Sequence, residues 1–142
     1  MFVLDTNVLS AMISAEPVLR VATWVSGRPA QLLFTAAICQ AEILSGLAIM
    51  PEGRRRLDLE AAARAMFTED FEGRVLPFDM AAAVAYADIF AIRRRAGRPT
   101  ATLDLMIASV ARTNGASVVT RNISDFEGCG VTVVNPWEEP IR

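Results

Sequence analysis

An α/β fold is predicted, with a central parallel sheet of about four to five strands and helices on both faces. Five short apolar runs are separated by stretches with helical character, the pattern of a sheet built by crossover connections. Each run is apolar along its length rather than alternating, as expected of strands covered on both faces. The 142 residues contain no repeat, low-complexity tract or long linker, so one domain spanning 1–142 is expected.

The elements follow in order. Phe2 to Asp5 reads as a strand, and Val8 to Ile13 can turn helical after the DTN that closes it. Pro17 is expected to open a second helix, running to about Ser26 and stopped by Gly27 and Pro29. Leu32 to Thr35 is the next strand. A long apolar helix from about Ala36 to Met50 is closed by Pro51, which can open another helix through Arg54 to Arg56 to about Phe71. Arg74 to Pro77 is strand-like. Asp79 is expected to cap a helix through Arg95, ended by Gly97 and Pro99, and Thr102 to cap one ended by Asn114 and Gly115. Ser117 to Thr120 and Val131 to Val134 complete the sheet.

Composition removes several chemistries. The chain has no histidine, hence no Ser-His-Asp triad and none of the usual zinc ligand. All 14 basic residues are arginine, which excludes a P-loop lysine and Schiff-base chemistry. Cys39 and Cys129 form no CxxC and are expected to be buried thiols. No apolar run reaches the roughly 18 residues of a membrane span, and MFVLD is unlike a signal peptide, so a cytoplasmic protein is expected. The net charge of −2 is unusual for a nucleic-acid binder, unless several acids gather around a cation that offsets them.

Four acids stand out. In such sheets, ligands collect beyond the carboxyl ends of the strands. Asp5 ends the first strand, and Asp125 lies five residues past Thr120. Asp5 also suits a helix cap, and Asp125 suits the first turn of a helix opened by a Ser124–Glu127 capping box, with Asn122 placed for an Asx turn. Glu42 is harder to assign to local structure. It lies mid-helix in AAICQAEILSGLAIM, and its same-face neighbours Ile38, Cys39, Ser45 and Gly46 include no base. Gly46 leaves room for a ligand or backbone to approach. Asp104 sits in the first turn of TLDLMIASVAR, where the helix dipole favours it, within an otherwise apolar turn. Acids gathered without lysine or histidine repel one another, and a hard divalent cation with oxygen ligands resolves that repulsion. The run Arg93-Arg94-Arg95 with Arg98 fits either a helix C-terminus or a phosphate-holding patch.

The motifs LDTN (Leu4 to Asn7), E-x-x-x-G (Glu42 to Gly46), GRP-x4-D-L-x-I-A (Gly97 to Ala108) and T-R-N-x-x-D-F (Thr120 to Phe126) together resemble the PIN-domain family, and within it the VapC toxins of toxin–antitoxin pairs. The resemblance implies a ribonuclease dependent on Mg²⁺ or Mn²⁺, a homodimer, and a small antitoxin protein that inhibits it. By motif, Asp5, Glu42 and Asp104 match the three central acids of the family and Asp125 a more variable fourth. Thr6, Asn7, Thr120 and Asn122 match polar positions that orient ligands or water. Without lysine, contacts to the RNA substrate fall to arginine, and Arg94, Arg95, Arg98 and Arg121 are the candidates. A groove for an amphipathic inhibitor segment is expected along Val18 to Val25, with Val21, Trp24 and Val25, and around Leu44 to Met50.

Two rivals differ in class. A phosphoaspartate enzyme or receiver domain needs a lysine beside its acid, which this chain lacks. A non-catalytic binding module would be expected to have lost acids that this chain keeps. A DNA-directed nuclease differs in substrate alone.

Overall fold

In a computed structural model, residues 1–139 are described. Five strands form one parallel sheet: β1 (Phe2–Leu4), β2 (Leu33–Ala36), β3 (Val75–Leu76), β4 (Ser117–Val119) and β5 (Val133–Val134). Their spatial order is β3-β2-β1-β4-β5. Register runs Leu4↔Thr35 on one side of β1 and Leu4↔Val119 on the other. From β1 the chain winds outward to β3, then crosses back over the sheet to β4. Right-handed crossovers therefore place the helices before β3 on one face and those after it on the other. The reversal occurs between β1 and β4, where a crevice forms beyond the strand ends. The core includes Val3, Leu4, Leu105, Ile107, Val118 and Phe126.

The helices are α1 (Thr6–Ile13), α2 (Leu19–Ser26), α3 (Ala37–Ala48), α4 (Arg54–Ala65), α5 (Met80–Arg95) and α6 (Thr102–Thr113). Asp5 caps α1 and Asp79 caps α5, the latter accepting from the Ala82 amide at 2.9 Å. Pro51 and Gly53 separate α3 from α4, and α4 runs into a π-type turn at Met66–Asp70 rather than continuing as regular helix to Phe71. Gly97, at φ +70°, ends α5: its amide reaches Arg94 O, and the Arg98 amide reaches Arg93 O at 2.9 Å. That pair of bonds satisfies carbonyls the last turn would otherwise leave unpaired.

Several expected boundaries shift. Helix α2 begins at Leu19, because Val18 before it is extended, at φ −81° and ψ 110°. Thr102 is the first residue of α6 rather than its cap; Ala101 holds the cap position, with no side-chain bond. Strand β5 is confined to Val133–Val134 because only those residues pair with β4. No described helix is long and apolar enough to cross a membrane.

Candidate active site

Asp5 leaves β1 where its own amide is still bound to Val119 O of β4, at 2.9 Å. That bond places its side chain in the crevice between the two strand ends. Asp5 is 4% exposed, and both its carboxylate oxygens accept hydrogen bonds. Oδ1 accepts from the Thr6 amide at 2.7 Å, while Oδ2 accepts from Thr120 Oγ1 at 2.7 Å and from Asn7 Nδ2 at 3.3 Å. Burial raises its pKa; the bonds from Thr120 and Thr6 pull it down, and the charge of Asp125 pushes it up again.

The polar residues beside it act on one another. Thr6 Oγ1 donates to Glu42 Oε1 at 2.8 Å, holding a carboxylate that projects from the apolar helix α3. Asn7 Nδ2 reaches Thr120 Oγ1 at 3.2 Å, and Asn7 Oδ1 accepts from the Arg121 amide at 3.2 Å. Of the four expected orienting residues, Thr6, Asn7 and Thr120 hold carboxylates in place. Asn122 contributes its backbone amide, to Thr120 Oγ1 at 3.1 Å, and forms no capped helix start.

Asp104 and Asp125 are half-buried and behave differently: neither carboxylate accepts a hydrogen bond among the described residues. Asp104, in the first turn of α6, has its pKa raised to about 6 by burial and then by the charges of Asp5, Asp125 and Glu42. The four acids therefore share one electrostatic neighbourhood, drawn from β1, α3, α6 and the short turn Ile123–Asp125. Among the described residues no three of these side chains already form a closed cation cage. The donor chemistry nonetheless fits a hard cation. All the donors are oxygens, two are pinned, and two are free to turn toward an ion. Beneath them, Cys39 is buried; burial and the nearby Asp5 charge raise its thiol pKa to about 12, so it stays neutral.

The remaining expectations divide. A cleft of about 950 Å³ opens beside Thr6 and Glu42 and runs between α1, α3 and α4 to Arg54 and Arg55. Gly46 lines it, and nothing stands within 4 Å of where its Cβ would lie, which leaves the close approach expected there open. Val21 and Trp24, expected in an inhibitor groove, are instead core residues, because α2 turns that face onto the sheet and Trp24 packs edge-on against Phe2 at 5.1 Å. Leu44 and Ile49 remain exposed.

Arg94, Arg95 and Arg121 are exposed, with the Arg121 guanidinium 5.3 Å from the Trp137 ring. Arg98 is paired with Glu127 Oε2 at 2.8 Å. Arg93 is buried, so the arginine run is not a uniform phosphate-facing patch. Its interior position had a signal: Ala82, Ile89 and Arg93 recur at helical spacing on the buried face of α5.

Comparison with known proteins agrees with the fold. A family model described as PIN domain matches residues 2–127. "VapC ribonuclease Y4jK" of Sinorhizobium fredii is 40% identical over 97% of this chain and 99% of its own length. "Toxin FitB" of Neisseria gonorrhoeae is 32% identical over 98% of this chain and 100% of its own. The crystal structure of FitAcB from Neisseria gonorrhoeae superposes with a TM-score of 0.91 at 32% identity, covering 98% of this chain and 100% of the other.

Proposed function

The chain belongs to the PIN-domain family, and on that premise we propose that it is a single-domain, metal-dependent endoribonuclease, the toxin of a type II toxin–antitoxin pair. The observation that carries the reading is Asp104, whose pKa is raised to about 6 by its own burial and then by the charges of the three other carboxylates around it. Such repulsion favours a site that gains stability when a cation enters.

Asp5, Glu42, Asp104 and Asp125 would hold Mg²⁺ or Mn²⁺, which supplies a polarised water and offsets charge developing on a phosphodiester. The chain's own residues prepare the site. Thr120, Asn7 and the Thr6 amide fix both oxygens of Asp5, so the acid meets an incoming ion without reorganising. The Thr6 hydroxyl fixes Glu42 in the same way. Arg94, Arg95 and Arg121 are exposed cations available to phosphates of an RNA strand, whereas exposed Arg98 is paired with Glu127.

A nuclease of this kind in the cytoplasm needs restraint, which the toxin name of one relative supports. Its partner is a small antitoxin that presents an arginine to the carboxylates, pairing bidentately as the fork geometry allows. Apolar residues of the antitoxin would lie along the cleft wall near Leu47 and Leu59 rather than on α2. Exposed Met80 and Val84, one turn apart on α5, support a homodimer.

The test is cleavage of matched RNA and DNA strands by purified protein, with Asp5→Asn as control. RNA cleavage that needs Mg²⁺ or Mn²⁺ and disappears in Asp5→Asn is expected. Metal-independent cleavage, or a preference for DNA, would contradict the reading.

A further inference from the structure

We infer that Arg93 is a positioning residue that fixes the segments carrying Asp104 and Asp125 relative to one another; the inference rests on the nuclease reading of that site. The guanidinium is 5% exposed at the end of α5. Its Nε donates to Thr100 Oγ1 at 2.7 Å, and its Nη1 donates to Ser124 O at 3.3 Å and Glu127 O at 2.6 Å. Thr100 lies in the turn that leads into α6 and Asp104. Ser124 and Glu127 bracket Asp125. One planar group therefore joins the two segments that deliver the two carboxylates lacking hydrogen bonds of their own.

The surroundings strengthen this role. Arg93 O accepts the Arg98 amide at 2.9 Å, and the Arg98 side chain pairs with Glu127 from the solvent side. The same turn is thus held from within and from without. All three acceptors of the Arg93 side chain are neutral, a costly setting for a buried cation. Ile89, one turn earlier on the same face, fills its place at no such cost. Reaching two separate segments requires donors on separate nitrogens of a rigid fork; lysine's three donors share one nitrogen, and an apolar side chain has none. Because Asp104 and Asp125 are placed by their backbones alone, whatever sets those backbones sets the spacing of the carboxylates.

Amide hydrogen exchange, Mn²⁺ binding and RNA cleavage are to be compared in wild type, Arg93→Met, Arg93→Lys, Asp125→Asn and the Arg93→Met/Asp125→Asn double variant. In metal-free Arg93→Met, the Phe126 and Cys129 amides, which close the turn onto Ile123 O and Phe126 O, should exchange roughly tenfold faster or more. Mn²⁺ affinity and cleavage should fall roughly 10- to 100-fold, with Arg93→Lys intermediate. The double variant should be no worse than Asp125→Asn alone. Unchanged exchange at those amides would overturn the clamp. Losses that add in the double variant, or a lowered Tm with normal Mn²⁺ affinity and cleavage, would overturn the positioning role. Wild-type protein that neither binds Mn²⁺ nor cleaves RNA would overturn the nuclease reading, and the positioning role with it, even where exchange shows that the clamp exists. Should Arg93→Met not fold, Arg93→Lys carries the same comparisons.

Discussion

The hydroxyl of Thr6 donates to Glu42 Oε1 at 2.8 Å, joining the first residue of α1 to the middle of α3. Its backbone amide is at the same time bound to Asp5 Oδ1 at 2.7 Å. A single residue thus orders two carboxylates that would otherwise repel each other freely.

Replacing that hydroxyl isolates its contribution. Thr6→Val keeps the shape and the amide bond but releases Glu42, so Mn²⁺ affinity should fall roughly 10- to 100-fold. Thr6→Ser should retain most of it. Calorimetric titration with Mn²⁺ measures both, and equal affinities in Val and wild type would show that Glu42 does not help hold the ion.

Asp104→Asn should abolish cleavage yet stabilise the metal-free protein near neutral pH. The folded carboxyl titrates at about 6, above its ordinary value of 3.8, so between those values the folded state holds more protons than the unfolded state. Stability therefore declines as pH rises through that window, and the penalty is complete above it. The Tm advantage of Asp104→Asn in EDTA should be small near pH 4, grow to about pH 6 and level off. Saturating Mg²⁺ should reverse the order. An advantage independent of pH would mean that Asp104 bears no such burden.

Cleaved RNA should carry 5′-phosphate and 3′-hydroxyl ends. Hydrolysis by an activated water leaves the 2′-hydroxyl untouched, and the chain has no histidine to deprotonate it. End-group labelling decides this, and a 2′,3′-cyclic phosphate would refute water attack.

The antitoxin should compete with the ion, because its arginine and the cation need the same oxygens. Co-purified complex should bind Mn²⁺ more weakly than free toxin and should not cleave RNA. A partner that binds tightly and leaves both properties unchanged would occupy some other surface.

Much of this was legible in the chain. Asp79 and the glycine that ends α5 act locally, through bonds within a few residues, and local rules suffice for them. Glu42 stood out because an acid inside an apolar helix requires a partner; the LDTN motif singled out Thr6 as an orienting residue, but nothing in the sequence paired it with Glu42. In the arginine run, helical spacing separates buried Arg93 from exposed Arg94 and Arg95, a distinction that the charges alone do not carry. Val21 and Trp24 did mislead. An apolar stripe reveals that a face is covered, while the tertiary packing decides whether core or partner covers it.

The bond from Thr120 to Asp5 spans most of the chain, and β1 has β4 as an immediate neighbour. During translation, the ribosome delivers Asp5, Thr6 and Glu42 long before the residues that seat and complete them. Until β4 emerges, the first strand lacks one neighbour, and Asp5 lacks both its Thr120 bond and the amide tie to Val119. On the nuclease reading, a nascent chain is therefore unarmed for most of its synthesis, and a truncated product ending before Thr120 should stay so. Topology alone gives the cell an interval in which an inhibitor already present can meet the toxin as its last strands pair.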